Sequence, residues 1–368
     1  PVNAGRSVDC TSGRFVMASG QQAHCLMDRS RDFWSIRNKP VLRGDNSMLR
    51  DEIITVFGGS GFVGRHVVGA LAKAGYRVRV ATRRPHLAQD LRVAGVVGQI
   101  QLVQANVRVP SSVTRAVEGA SGVVNLVGVL NESGRQTFSR LQAQGAKTIA
   151  EAAAGAGIAA MVQMSAIGAD TDSASRYARS KAEGEAYVKA ALPSATILRP
   201  SIIFGKGDGF FNRFASMAQV LPALPLFGGG KSRFQPVFAG DVATAVLTAL
   251  TSDAARGQTY ELGGPGVYTF EELMRFILDA TDRRRVLVPL PFALATPMAL
   301  LFEMAAILPF VEPVVTRDQL IQLRQDNVVS DGAKTLADLG ITGETVEAIV
   351  PDYLIPYRRH GQFHERTA

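Results

Sequence analysis

From Ile53 onward, short apolar runs alternate with segments whose apolar residues recur at helical spacing. The runs are Ile53–Phe57, Arg77–Ala81, Ile100–Gln104, Val123–Val127, Ala160–Ser165 and Thr196–Arg199. Most read as continuous apolar runs, as expected of parallel strands covered on both faces. Between them the spacing predicts helices from about Gly64 to Ala74, stopped by Gly75, from about Gln136 to Ala154, and from about Tyr177 to Ala191. Strand and helix in alternation give an α/β fold built on a doubly wound parallel sheet with right-handed crossovers.

After Pro200 the texture changes, with Gly205, Gly207, Gly209, Pro222, Pro225 and Gly228–Gly230 breaking the chain into shorter elements. Thr269–Glu272 reads as a capping box opening a helix to about Ala280, and Thr316–Gln319 as a second box. The expected organisation is a sheet domain over 48–200, with 236–252 returning to it. A smaller C-terminal α/β domain over 201–360 stands on the substrate or docking side. Val286–Phe302 is 17 residues without a charge, the lower limit for a membrane span. Pro289, Pro291 and Pro297 interrupt it and Glu303 comes directly after, so a buried or interface-facing helix is expected and any membrane contact is peripheral. Rigid prolines beside large apolar side chains suit a fixed docking interface over 289–324. The bland alternative is that this stretch completes the small domain's core.

Residues 1–47 lack periodicity and are rich in Ser, Arg, Asn and Gly, and Met48 stands just before the first strand. They read as a disordered extension or as upstream sequence included by an early start. Four aspartates and the lack of an apolar core segment argue against a targeting signal. Both cysteines, Cys10 and Cys25, lie in this stretch, so no disulfide framework or thiolate metal site is expected in the body. The formal charge is +8, and residues 1–50 supply half of it with eight basic residues against four aspartates. The remainder is too scattered for a nucleic-acid footprint and suits anionic ligands, an acidic partner or lipid headgroups.

Gly58-Gly59-Ser60-Gly61-Phe62-Val63-Gly64 lies between the first strand and the first helix. Gly58 permits the turn, Gly61 admits a pyrophosphate to the backbone, and Gly64 lets helix and strand approach. This is the pattern of a dinucleotide site. The second strand ends in Thr82-Arg83-Arg84, where an NAD site usually carries an acidic residue for the ribose hydroxyl. Two guanidiniums there suit a 2′-phosphate, so NADP(H) is preferred over NAD(H). Tyr177 and Lys181, four apart on one helix face, suit a phenol acid/base with an ammonium beside it.

Together these residues resemble the extended short-chain dehydrogenase/reductase superfamily. Asn125–Gly128, Arg199-Pro200-Ser201 and Phe234–Ala243 also match it. The resemblance implies cofactor contacts at Gly58, Ser60, Gly61, Phe62, Val63, Gly64, Arg83, Arg84, Asn106, Val107, Leu126, Val127, Gly128, Tyr177, Lys181 and Pro200. It implies Tyr177 and Lys181 as catalytic groups with a third Ser or Thr after the fifth strand. That position is Ala166, and only Ser165, one place early, offers a hydroxyl.

Over about residues 52–360 the chain also resembles a narrower family. Tyr177–Lys181, Ile203–Asp208 and above all Pro309–Gln319 look like the Rossmann-fold accessory subunit of respiratory complex I (alpha-subcomplex subunit nine) and its bacterial relatives. That resemblance implies a tightly held NADPH without turnover. It also implies complex I subunits as partners near the quinone end, possession of no metal, and a location on the cytoplasmic or matrix face of the inner membrane. For 289–324 it implies a membrane-associated partner, with Arg317 pairing to an acidic group or a lipid phosphate there. Two alternatives stand beside it: an active NAD(P)-dependent reductase, epimerase or dehydratase on a nucleotide-sugar or other carbonyl substrate, and an NmrA-like redox-sensing regulator.

Overall fold

In the computed structural model, residues 50–134, 136–305, 315–359 and 361 are described. The expectations for residues 1–47, Met48 and Pro309–Val314 lie outside them. Six of the apolar runs form strands β1 (Ile53–Phe57), β2 (Arg77–Thr82), β3 (Ile100–Gln104), β4 (Gly122–Asn125), β5 (Ala160–Met164) and β6 (Thr196–Pro200). The intervening helices are α1 (Phe62–Lys73), α2 (Pro110–Val117), α3 (Gln144–Gly155) and α4 (Arg176–Ala191). Neighbouring residues of one strand bury to opposite faces. Val56, Val80, Val124, Val162 and Leu198 join one core, while Phe57, Ala81, Val123, Met161 and Ile197 join the other. That two-sided burial is why the strands read as unbroken apolar runs.

Beyond Pro200 come β7 (Ile203–Phe204), α5 (Phe211–Val220), β8 (Ala223–Phe227), β9 (Arg233–Phe234), β10 (Val237–Phe238), α6 (Ala239–Thr251), β11 (Thr259–Leu262), β12 (Tyr268–Thr269), α7 (Phe270–Ala280) and β13 (Val286–Leu290). The described part closes with α8 (Phe292–Ala305), α9 (Arg317–Gln322) and α10 (Val346–Tyr353). Strand β11 returns to the main sheet, whose order is β11-β6-β5-β4-β1-β2-β3 with every pairing parallel. Its order reverses between β1 and β4, the crevice where α/β sheets bind ligands. Helix α6 packs on α1 over the same face.

A third core gathers phenylalanines from the later elements: Phe204, Phe211, Phe227, Phe234 and Phe270 are all buried. Their rings and those of Phe210 and Phe214 meet mostly edge to face, Phe210 and Phe214 at 5.1 Å between centroids.

Three expectations change here. Val286–Leu290 is a strand rather than the start of a helix, paired in parallel with Ala223–Phe227. An uncharged run of this length fits either element, and the prolines at 289 and 291 hold the start of the helix back to Phe292. The Arg317 side chain is committed within the chain: its Nε donates to Glu303 Oε2 at 2.8 Å and its backbone N–H to Glu303 Oε1 at 2.7 Å. The stretch from α8 to α9 is also partly core, with Ala295, Ala299, Val315 and Leu320 buried. The outward face of α8 stays apolar. Among the described residues no helix is long and apolar enough to cross a membrane.

Candidate functional site

The glycine loop after β1 is built to let backbone approach backbone. Gly58 adopts φ +79°, and a Cβ there would lie 2.9 Å from the Leu126 carbonyl carbon. A Cβ on Gly64 would sit 2.6 Å from Gly59 Cα, so only glycine lets the first turn of α1 lie against the loop. Gly61, the residue before α1, is exposed, and a Cβ there would touch only Gly58 O at 3.3 Å. The space it leaves open lies outward, beside the free N–H groups of the helix start. Phe62 and Val63 are half-buried, with the Phe62 ring 5.7 Å from His66.

A cavity of about 400 Å³ opens beside this loop, lined by Ser60, Thr82, Arg83, Arg84, Leu87 and Gln136. Ser60 and Thr82 hydroxyls stand 3.5 Å apart on its wall, and Arg83 Nη1 donates to Gln136 Oε1 at 2.7 Å. Both arginine side chains are exposed. The glycine cradle and this cationic cavity fit a dinucleotide: Ser60 and the helix N–H groups could hold phosphate oxygens, and Arg83 and Arg84 stand at the cavity as exposed cations.

On the far side of the loop, the turn after β4 is held by a buried amide ladder. Asn125 Nδ2 donates to Gln163 Oε1 at 2.8 Å, and Val127 N–H donates to Asn125 Oδ1 at 3.0 Å. This brings Leu126, Val127 and Gly128 across from Gly58. Lys181 reaches the same turn, since a Cβ on Gly128 would lie 3.4 Å from its Nζ. Lys181 Nζ donates to Met164 O at 3.3 Å and lies 5.7 Å from the Tyr177 ring centroid. The structure thus brings Tyr177, Lys181 and Gly128 together beside the sheet's switch point. Asn106 stands after β3, but its Oδ1 accepts the Arg108 N–H at 3.1 Å and Val107 is buried in the core. Pro200 ends β6, where its carbonyl accepts the Ile167 N–H.

The residue that sequence reasoning missed is Asp318. Its carboxylate accepts from Ser175 Oγ at 2.9 Å, Arg176 N–H at 2.6 Å and Tyr177 N–H at 3.3 Å, so α9 caps the helix that carries Tyr177. Lost solvation, and after it the Asp318 charge, pushes the Tyr177 phenol up to about 12. Burial brings Lys181 down to about 8, against a smaller upward pull from Glu185.

The NAD dependent epimerase/dehydratase family model matches residues 54–263. A relative from Arabidopsis thaliana, named as NADH dehydrogenase [ubiquinone] 1 alpha subcomplex subunit 9, mitochondrial, is 35% identical over 86% of this chain and 81% of its own length. The chain belongs to the NAD dependent epimerase/dehydratase family and, within it, to the complex I alpha subcomplex subunit 9 family. A ceramide reductase from Caulobacter vibrioides is 33% identical over 65% of this chain and 74% of its own. The triphenylmethane reductase of Citrobacter sp. shares the fold, with a TM-score of 0.65 at 19% identity over 82% of this chain and 99% of its own.

Members of the epimerase/dehydratase family bind a nicotinamide dinucleotide. When bound it supplies a hydride donor or acceptor. Beside the switch point the chain places the Tyr177 phenol and the Lys181 ammonium. Ala166 has no hydroxyl to offer. Ser165 is buried, and its Oγ has no hydrogen-bond partner among the described residues.

Lys181 gives a test with a defined sign. Its folded pKa of about 8 lies below the ordinary value of 10.5, so the unfolded chain binds more protons between those values and stability rises with pH there. At pH 7 the folded state carries the whole penalty, at most roughly 3 kcal/mol. Lys181→Met should therefore unfold at higher urea than the parent at pH 7, with the advantage shrinking above pH 8, while nucleotide affinity falls. Equal stability of the two proteins at pH 7 would show that the ammonium is not desolvated.

Proposed function

We propose that this chain is an NADPH-binding accessory subunit of respiratory complex I that performs no turnover of its own. The observation that carries the reading is an intact dinucleotide cradle beside an active site whose third hydroxyl position is Ala166. Family membership supports the partner, since the Arabidopsis thaliana relative is named as a complex I subunit. In this reading 48–200 with 236–252 holds the nucleotide, and the remainder of 201–360 faces the partner. The chain sits peripherally on the inner membrane, on the cytoplasmic face in a bacterium or the matrix side in a mitochondrion.

NADPH is preferred over NADH because Arg83 and Arg84 flank the cavity and no carboxylate is among its lining residues. A charge-assisted pair contributes about 1.5–3 kcal/mol, roughly ten- to hundredfold in affinity. Arg83→Ala with Arg84→Ala should bring the two dissociation constants together, and equal constants in the parent would end the preference.

A second reading, an active reductase on a carbonyl substrate, has its own support in the Tyr177–Lys181 pair and in the ceramide reductase relative. One experiment separates them. The tagged chain, expressed in its host, should recover complex I subunits and release NADPH on denaturation. Recovery without those subunits, together with steady NADPH consumption on a panel of lipid and sugar carbonyls, would favour the enzyme.

A further inference from the structure

A groove of about 890 Å³ lies away from the nucleotide loop, between α7, β8 and β13. It is lined by the cationic Arg275, Arg283, Arg284 and Arg285 and by the apolar Pro222, Leu226, Leu278, Leu287 and Pro289. Two carboxylates, Glu271 and Asp279, also line it, and Glu271 is taken up by Arg275 four residues on. Asp282 stands next in sequence to Arg283 and is engaged within the chain.

Arg283, Arg284 and Arg285 are held differently. Arg283 Nε donates to Tyr357 O and Arg285 Nε to Ala218 O, each at 2.9 Å, so both guanidiniums are tethered by one edge to neutral carbonyls. Arg284 is exposed, and among the described residues no carboxylate forms a salt bridge with any of the three. Burial, and after it the positive charges of Arg285 and Arg359, depresses the Arg283 pKa.

Exposed aliphatic side chains lie on the groove's own strand β13 and on α8, the helix that follows it in the chain. Val286 is 65% exposed on β13, and along α8 the exposures are Leu294 62%, Leu301 65% and Met304 58%. A folded chain seldom leaves so many large apolar side chains outward in one short stretch. Cations beside aliphatics match an amphiphile with an anionic head. No aromatic residue lines the groove, so it lacks the stacking platforms that single-stranded nucleic acids require.

We propose that this groove and the outward face of α8 form a docking surface for anionic phospholipid, with the lipid phosphate on Arg283, Arg284 and Arg285 and the aliphatic side chains at the acyl boundary. The proposal rests on the preceding reading in requiring a membrane beside the protein. Guanidiniums pair with phosphate through two parallel N–H donors, and apolar contact adds to that attraction at a bilayer surface.

The test uses the full chain with NADPH bound and no other protein. It should co-sediment with vesicles of phosphatidylcholine and phosphatidylglycerol and stay in solution with phosphatidylcholine alone. Each arginine near an anionic surface contributes about fivefold, so the charge reversal Arg284→Glu should weaken vesicle binding by roughly tenfold or more. Leu301→Ser with Met304→Ser should also weaken binding, while leaving its salt dependence in place. All variants should keep the parent's NADPH affinity, which excludes misfolding as the cause. Equal binding to both vesicle types, or undiminished binding by Arg284→Glu, would overturn the proposal. Displacement by inorganic phosphate at the concentration of the lipid phosphate would also overturn it, assigning the groove to a soluble anion. Because complex I is absent, failure here leaves the co-purification result standing, and the converse holds.

Discussion

Gly64→Ala should lower dinucleotide affinity by more than about a hundredfold, the largest effect expected of any single methyl in this chain. The added Cβ would lie 2.6 Å from both Gly59 Cα and Gly59 C, and these are backbone atoms with no rotamer to escape into. Relief requires the loop and the first turn of α1 to part, which moves the N–H groups meant for the pyrophosphate. Misplacing two or three charge-assisted hydrogen bonds costs about 3 kcal/mol or more, and roughly 1.4 kcal/mol is tenfold. The fold should suffer too, because α1 buries Val67, Val68 and Leu71 against the sheet. Gly61→Ala supplies the contrast: with only Gly58 O within reach at 3.3 Å it should spare the melting temperature and still lose affinity. Gly69→Ala, with nothing near its Cβ, should be neutral to mildly stabilising. Isothermal titration with NADPH and thermal melts of the three variants decide the matter. Tight binding by Gly64→Ala would mean that the nucleotide does not lie on this loop.

Asp318→Ala should cost about 2 kcal/mol of stability and relieve the smaller, electrostatic part of what holds the Tyr177 phenol up. The carboxylate accepts from Ser175, Arg176 and Tyr177, and also from Gln322 Nε2 at 3.1 Å, so its removal leaves the Arg176 and Tyr177 N–H groups without this acceptor, while Ser175 Oγ still accepts the Ala178 N–H. Loss of an N-cap costs about 1 kcal/mol, and a charged acceptor serving several donors costs more. Tyr177 is held up at about 12 first by lost solvation and then by this charge, so its titration should move toward the ordinary value of 10.0 in the variant. Urea unfolding reads the first effect and the tyrosine ring signals in a pH series read the second. Asp318→Asn separates them, keeping an acceptor while discharging the site. An unmoved Tyr177 titration in both variants would mean that Asp318 only tethers the helix.

The nucleotide half is legible in the sequence because its determinants are local. Strands β1 to β5 are largely apolar runs with a glycine close to one end, and the loop glycines lie within a single short stretch, Gly58–Gly64. What escaped is non-local or atypical. Strand β11 is four residues with Glu261 in its interior, tolerable there because that carboxylate meets Arg199 of β6 at 3.6 Å and accepts the Ser330 N–H. Helix α2 opens with Pro110-Ser111-Ser112 and spans eight residues, too few for a periodicity to show. The run from Val286 is uncharged, and composition alone does not divide it into strand and helix. Asp318 lies 141 residues from Tyr177, so no spacing rule joins the two. Thr82 and Gln136 shape the cavity beside Arg83 and belong to no motif.

The return of β11 and α6 to the first sheet has a consequence for synthesis. A ribosome delivers β6 well before β11, and at roughly 5–20 residues per second the interval is on the order of seconds. Until then the edge of β6 has no partner, and the face of α1 that α6 covers stands open. The same core also takes in Leu336, which emerges later still. The nucleotide half therefore cannot finish folding on the nascent chain ahead of the rest. Truncated products ending before Leu262 would present an unpaired strand edge and bare apolar surface, which makes them substrates for chaperones and proteases rather than small autonomous nucleotide binders.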